Sequence, residues 1–432
     1  MRELNKQGAK AEHTAPSQRS SQPVAPLSER APQALERKPL VMRRIGLMAT
    51  MVTLLVAAGA MLLPSLFSAQ PELDTSAAPA MTTVGQVAFQ SSGQFDLLGT
   101  AGSNDIVTIS LSHLSTPAAG QSYYGWLMPD KGDDSTPPLL LGRLTISDGQ
   151  AQITYAQPGH ENLLALYSRF EVAEQPSSEN PTMPPLDSKA VQYEGSVPDT
   201  PTPGDEQHYS LLDHMRHLLA KDPTLQAIGL QGGLDLWLDR NTEKIFEWAS
   251  AARDSWPGGQ QTQLIHRQMI RILQYLDGSA ASQTNDLPPG TPLLVDPQQS
   301  RIGLLPVSST QEAFLPAYTV HVDTHLQGLA NAPGHTQAQQ QLAFKIDHAL
   351  KVDISYLQRV HQDAVQVVKM NDAQLRTTQA QSLLNDLTTN ITNAYVGQFN
   401  PATGGDVNGI AWIHNELQGL ATISVISTGK SK

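Results

Sequence analysis

The pattern of apolar and polar residues changes three times along the chain, and each change predicts a different kind of structure. The first pattern is the uncharged apolar run Ile45–Leu63, which is followed by Pro64, Leu66 and Phe67. As a helix the run would be about 28 Å long, close to the thickness of a hydrocarbon core. It therefore predicts a single transmembrane helix over residues 45–67.

Charged residues around this run predict its orientation. Lys38, Arg43 and Arg44 precede it, whereas Glu72 and Asp74 follow it. Because basic residues in short loops stay on the cytoplasmic side, we expect the N-terminus inside and the rest of the chain outside the plasma membrane. A cleaved signal peptide and a buried core helix are the two alternatives.

Residues 1–44 carry nine Lys and Arg against four Glu and few large apolar side chains. Such a segment buries too little apolar surface to offset its ordering entropy, so it is expected to be a disordered basic cytoplasmic tail. It can serve either as a docking peptide or as a topology determinant that touches anionic lipid.

A period of two residues begins after a small-residue spacer at 68–83 and predicts β-strands. Val107, Ile109 and Leu111 alternate with polar residues, and Asp148-Gly149 is a hairpin-turn signal between two such runs. About seven strands of this kind predict an antiparallel β-sandwich domain over residues 84–175.

Within this segment the order Tyr124-Gly125-Trp126-Leu127, Leu141-Gly142-Arg143-Leu144 and then Pro181-Thr182-Met183-Pro184 is similar to the extracytoplasmic domain of anti-sigma-K-type factors. The resemblance spans residues 84–185 and implies a membrane-tethered regulator with an outer β domain. Under it a sigma factor is a candidate partner, although residues 1–44 lack the helices and the His/Cys zinc cluster of the family's cytoplasmic module. Tyr124, Trp126 and Gly142 are expected to be core and turn positions.

A helical period follows a Pro-rich segment at 176–206, which is read as an extended linker. Apolar stripes with spacings of three and four residues predict an all-α helical bundle over residues 207–425, with an irregular insertion at 282–319. The longest helix is expected over residues 337–369. The fold class predicted for the whole chain is thus multidomain and membrane-anchored, with a single transmembrane helix, an antiparallel β-sandwich and a helical bundle.

Composition excludes several kinds of chemistry. The chain of 432 residues has no cysteine, so disulfides, thiolate zinc sites, iron-sulfur clusters and a cysteine nucleophile are ruled out. The net charge of the chain is −12, and the acidic part that follows the basic residues 1–44 is expected to bind nucleic acid poorly. No GxSxG, GxxxxGK[ST], GxGxxG or HExxH motif occurs, so we expect a protein that is not an enzyme and has no cofactor.

Histidines are the one enriched candidate for chemistry, since ten of thirteen follow residue 207. His214 and His217 are spaced i, i+3, and His321 and His325 are spaced i, i+4, so each pair can present two imidazoles on one helix face. Neither pair has a clear third ligand nearby in sequence. Surface or half-buried histidines therefore remain the favoured reading over a metal site, and His361 is read as a satisfied core histidine.

The function predicted from these features is binding or sensing on the outer face of a cell envelope by a membrane-tethered, anti-sigma-related protein. Its expected partners are the membrane, through one span, and an unknown extracytoplasmic protein or ligand; nucleic acid is not among them. Two alternatives stay open, a metal-binding or metal-dependent helical bundle and a structural envelope spacer. No catalytic, cofactor-binding or metal-ligating residue is assigned from the sequence.

Overall fold

Eight strands form one antiparallel sheet in the computed structural model, which describes residues 82–94, 99–178, 180–257, 261–307, 315–402 and 404–429. The order of the strands across the sheet is β4-β3-β6-β7-β10-β1-β2-β5. A separate pair is formed by β8 and β9. The strands are β1 Thr83–Gln90, β2 Ile106–Leu111, β3 Gln121–Pro129, β4 Leu139–Leu144, β5 Ala151–Ala156, β6 Tyr167–Pro176, β7 Val191–Ser196, β8 Gln398–Asn400, β9 Gly405–Val407 and β10 Thr422–Ser427.

Alternation along the strands buries one face of the sheet, as the period of two predicts. In β2 the side chains of Val107, Ile109 and Leu111 are buried and those between them are more exposed. The edge strands β4 and β5 also come close, because a side chain at Gly142 would lie 2.9 Å from Ile153 Cδ1. Gly142 has a φ of +139°, which an L-residue rarely adopts, so glycine is needed at this position inside the edge strand, where the pairing of β4 with β3 is irregular.

The expected core positions of the β region are confirmed. Trp126 is fully buried and Tyr124 nearly so, and both pack with Ala173 on one side of the sheet. The indole Nε1 of Trp126 donates a hydrogen bond of 3.0 Å to Gln175 Oε1. The aromatic anchor therefore has a partner for its polar atom, as buried tryptophans normally do.

Nine α-helices lie in the described ranges, all after residue 210. They are α1 Leu211–Leu219, α2 Pro223–Ala227, α3 Leu234–Asp254, α4 Thr262–Leu276, α5 Ser279–Asn285, α6 Tyr318–Asn331, α7 Gln337–Val368, α8 Thr378–Tyr395 and α9 Ile410–Leu417. The long helix predicted over residues 337–369 is confirmed as α7, which begins with a capping box between Thr336 and Gln339.

Sheet and helices share one hydrophobic core. A single cluster of buried side chains runs from Val84 in β1 through the helices to Val425 in β10. Polar contacts join the same regions: Arg216 of α1 makes two hydrogen bonds of 2.6 and 2.8 Å to Asp130 at the end of β3. The described residues thus form one unit and contain no boundary between a sandwich and a bundle.

The predicted division into a sandwich followed by a bundle is therefore wrong. The segment 176–206, read as a linker, contains β7, which pairs with β6 on one side and β10 on the other. Strand β10 comes from the predicted bundle yet lies between β7 and β1. Prolines flank β7 without entering it, and this explains why composition alone suggested a linker.

The membrane-anchored fold class and the single-pass description are also corrected. Within the described ranges no helix has both the length and the apolar character needed to cross a bilayer. The segment 45–67 that carried the prediction, the tail 1–44 and most of the spacer lie outside the described residues. The predicted extracytoplasmic location is not tested by these observations and stays a prediction.

Candidate metal centre

Helix α1 presents His214 and His217 toward the interior. The helix begins at a capping box in which the Ser210 hydroxyl accepts a hydrogen bond from Asp213 N–H and the Asp213 carboxylate accepts one from Ser210 N–H. With the helix start fixed in this way, the i, i+3 spacing places both imidazoles on one buried face. His214 is 4% exposed and His217 is 7% exposed.

Helix α6 presents the second pair, His321 and His325, to the same place. His325 is 1% exposed, and its ring centroid lies 4.7 Å from that of His217 and 4.9 Å from that of His321. His214 Nδ1 and His325 Nδ1 are 2.9 Å apart. The structure therefore brings together the two histidine pairs that the sequence left separate.

Asp222 adds a carboxylate to these four imidazoles. It is the N-cap of α2, where its Oδ1 accepts a hydrogen bond of 3.0 Å from Leu225 N–H, and its side chain is 1% exposed. Its Oδ2 lies 3.7 Å from His321 Nε2. One potential ligand atom from each of His217, Asp222 and His325 lies within 4.8 Å of the other two.

Three ring nitrogens in the cluster are buried without a hydrogen-bond partner. They are His217 Nδ1, His321 Nδ1 and His325 Nε2. A buried polar atom left unpaired costs about 1–3 kcal/mol, so three such atoms in one place destabilise the fold substantially. A bound cation would remove part of that cost wherever a lone pair faces it.

Electrostatics keep these histidines neutral, which is the form that binds metal. Burial lowers the pKa of all four, and for His217 the result is a pKa of about 4 even though Asp222 and Asp213 act in the opposite direction. At His325 the neighbouring histidines lower the pKa further. At neutral pH each ring therefore keeps one unprotonated nitrogen.

The hydrogen bond between His214 and His325 bears on which nitrogen of His325 is unprotonated. If His325 Nδ1–H donates to His214 Nδ1, then His325 Nε2 carries a buried lone pair. The reverse arrangement would leave a buried N–H without an acceptor. A neighbour that holds the far nitrogen of an imidazole in this manner is the usual companion of a metal-binding histidine.

Aromatic rings and one glycine shape the surroundings. Tyr209 lies edge-on to His217 at 4.7 Å and close to the rings of His214 and His325. The hydroxyl of Tyr318 is buried without a partner, and burial together with Asp222 raises the pKa of this phenol. Gly328 leaves the space that the His214 ring occupies, since a β-carbon there would overlap the ring.

The donor set fits a borderline transition-metal ion. Imidazole and carboxylate groups are ligands of Zn²⁺, and in such sites each ligand atom lies about 2.0–2.2 Å from the ion. His321 borders the group, with its Nε2 3.7 Å from Asp222 Oδ2. Because His217, Asp222 and His325 are buried, the centre has the closed character of a structural metal site.

Sequence reasoning identified four of these residues individually and missed the fifth. The two histidine pairs were found by their spacing, but α1 and α6 are about a hundred residues apart in the chain, and their packing could not be read from periodicity. Asp222 was overlooked, although the Asp222-Pro223 pair is a helix-start signal that could have marked it as a fixed, inward carboxylate.

His361, the remaining histidine considered from the sequence, lies in a different cluster. Its Nε2 is 3.1 Å from Asp277 Oδ1 and 3.4 Å from Asp286 Oδ2, and its side chain is 26% exposed. These two carboxylates raise the pKa of His361 against the effect of burial. It is a paired histidine at the surface of the core.

Comparisons with protein-family models, with curated proteins and with solved structures gave no match to this chain. Its chemistry is therefore to be argued from its own geometry.

Proposed function

We propose that this protein binds a divalent transition-metal ion in the buried centre formed by His217, Asp222 and His325, with His321 beside it, and that the ion holds the helical part of the fold together. Zn²⁺ is the best match to the ligand set. The observation that carries the proposal is that His217, Asp222 and His325 each offer a ligand atom within 4.8 Å of the other two, while His217 Nδ1 and His325 Nε2 are buried without a hydrogen-bond partner.

The consequence of such an ion is structural. Its ligands come from α1, from the start of α2 and from α6, so one ion would cross-link segments distant in sequence. A structural ion contributes its binding free energy directly to folding. Turnover at this centre is not proposed, because its ligands are buried.

The first test is metal titration of the full chain. Wild-type protein should bind Zn²⁺ by calorimetry, and Co²⁺ in its place should give the visible absorption of a tetrahedral nitrogen-oxygen site. His217→Gln and His325→Gln should each lower the affinity at this site by more than ~100-fold, because each removes a direct ligand. The matched control is His348→Gln, which changes an exposed histidine of α7.

Two results would reject the proposal. One is a wild-type protein that binds no more Zn²⁺ than the His217→Gln, His325→Gln double variant. The other is an equal loss of binding in His348→Gln. The prediction of an anti-sigma-related sensor is a separate matter and stays a prediction, since nothing in the comparisons bears on it.

A further inference from the structure

A second cluster of charged side chains lies where three helices meet. Asp277 follows the last residue of α4, Asp286 follows the last residue of α5, and His361 projects from α7. The three offer one ligand atom each, all within 4.8 Å of one another. None of them belongs to the first centre.

The position of Asp286 is electrostatically unfavourable without a cation. The C-terminal end of a helix carries partial negative charge, and carboxylates are normally favoured at the opposite end. Asp286 sits at the C-terminus of α5, whereas Asp277 lies between the C-terminus of α4 and the N-terminus of α5.

One oxygen of the Asp277 carboxylate has a partner and the other has none. Its side chain is 2% exposed and its Oδ1 contacts His361, whereas its Oδ2 is buried without a hydrogen-bond partner. Burying an unpaired carboxylate oxygen is costly, and the usual compensation is a cation.

A cavity adjoins the three side chains and is open to solvent. Its volume is about 510 Å³, and Asp277, Asp286 and His361 all line it. Asn285, Gln358 and Gln362 add amide groups to the wall. Water molecules or a small oxygen-bearing ligand can therefore reach an ion held by the cluster.

We propose that Asp277, Asp286 and His361 form a second divalent-cation site, with two carboxylates and one imidazole on one side of the ion and open coordination positions toward the cavity. Two oxygen donors and one nitrogen favour an ion of the Mn²⁺ class, whereas the first centre is richer in nitrogen. The open positions give this site the character of a catalytic or ligand-binding centre.

The test is a Mn²⁺ titration of the full chain. Binding is monitored as the loss of the electron paramagnetic resonance signal of the free ion. Wild-type protein should take up one Mn²⁺, and Asp286→Asn and His361→Gln should each weaken that uptake at least ~10-fold. Asp372→Asn, a change to an exposed aspartate, is the matched control and should leave the uptake unchanged. Circular dichroism checks that each variant is folded.

This experiment is independent of the first centre. His217→Gln should retain Mn²⁺ uptake, so a failure of the first proposal would leave the second standing and the reverse is also true. Absence of Mn²⁺ uptake by the wild-type chain would overturn the inference, because the cluster would then be an ion pair between His361 and the two carboxylates. The inference would also be overturned if the folded Asp286→Asn and His361→Gln variants took up as much Mn²⁺ as the wild type.

Discussion

Asp353 is a buried ionisable residue without a partner. It lies in the middle of α7, has no exposed surface, and neither carboxyl oxygen has a hydrogen-bond partner. Burial raises its pKa from 3.8 to about 9. The folded protein therefore keeps this carboxyl protonated at neutral pH, whereas the unfolded chain ionises it.

This residue makes stability depend on pH with a definite sign. Because the pKa is higher in the folded state, the unfolded state loses its proton first as the pH rises, and the free energy of unfolding falls between pH 4 and about 9. Below this window Asp353 is protonated in both states and contributes no pH dependence. The loss is on the order of several kcal/mol, since each pKa unit corresponds to about 1.4 kcal/mol.

We expect Asp353→Asn to be more stable than wild type at pH 8 and nearly equal to it at pH 4, because the amide has a similar shape and does not ionise. Urea unfolding at a series of pH values measures the difference. Asp372→Asn, which changes an exposed aspartate, serves as the control and should track the wild type. A constant difference between Asp353→Asn and wild type at all pH values would contradict the assigned cause.

His414, unlike Asp353, is an ionisable residue with a charged partner. It is 2.7 Å from Asp235 Oδ2, and although burial alone would lower its pKa, Asp235 and Asp239 raise it to about 9. An imidazole and a carboxylate that pair across α9 and α3 thus stabilise each other, whereas Asp353 has no such partner. Local sequence does not distinguish the two, since both residues lie on amphipathic helices.

Among the elements, β10 has the largest effect on the architecture. It lies in the interior of the sheet, between β7 and β1, and its buried face includes Ile423 and Val425. Ser424 lies between these residues and is exposed. The two faces of one strand therefore provide a matched pair of positions.

Val425→Asp should destabilise the entire unit, helices included, because it places a charge in the core that the sheet and helices share. Ser424→Asp should change the free energy of unfolding by less than ~0.5 kcal/mol, since its side chain is exposed. Thermal unfolding followed by far-ultraviolet circular dichroism measures both. Retention of a stable helical signal in Val425→Asp would show that the helices fold without the sheet.

Element types were more predictable from the sequence than their arrangement. The stripe of α7 and the alternation of β2 follow from short-range patterns, and both were recovered. The pairing of β10 with β1 was not, because a register between strands over 300 residues apart leaves no local trace. Strand β10 itself, with Ile423 and Val425 flanking a polar residue, was missed because only a short 3-10 helix, Gln418–Leu420, separates it from α9.

The same limit applies to the candidate metal centre. Spacing identified its histidines in pairs, but only the packing of α1 against α6 places His217 beside His325. Burial, which makes the imidazoles neutral, is likewise a property of the tertiary structure. The sequence could therefore suggest metal binding only as an alternative.

At the scale of the whole molecule, the common core makes a definite prediction about unfolding. A sandwich and a bundle joined by a linker would unfold in two steps, whereas one core spanning both should unfold in one. Helical circular dichroism and tryptophan fluorescence, to which Trp126 of the sheet and four tryptophans of the helical part contribute, should therefore give coincident urea curves. Separated curves would indicate two independent units.

Binding of the proposed ion should shift the whole unfolding transition toward higher stability. With free Zn²⁺ at 100 times its dissociation constant, the free energy of unfolding should rise by about 2.7 kcal/mol. Both probes should shift equally, although the ligands lie only in the helical part. In His217→Gln the shift should disappear, and a shift confined to the helical signal would contradict the shared core.

The interior place of β10 also has a consequence for synthesis on the ribosome. Strands β1, β2 and β5 form one part of the sheet and β4, β3, β6 and β7 the other, and β10 is the strand that joins them. The nine α-helices of the described ranges are all translated before it. Until β10 is translated, β1 and β7 each lack a strand that pairs with them in the native sheet, so these two edges are where pairing with other chains is expected during synthesis.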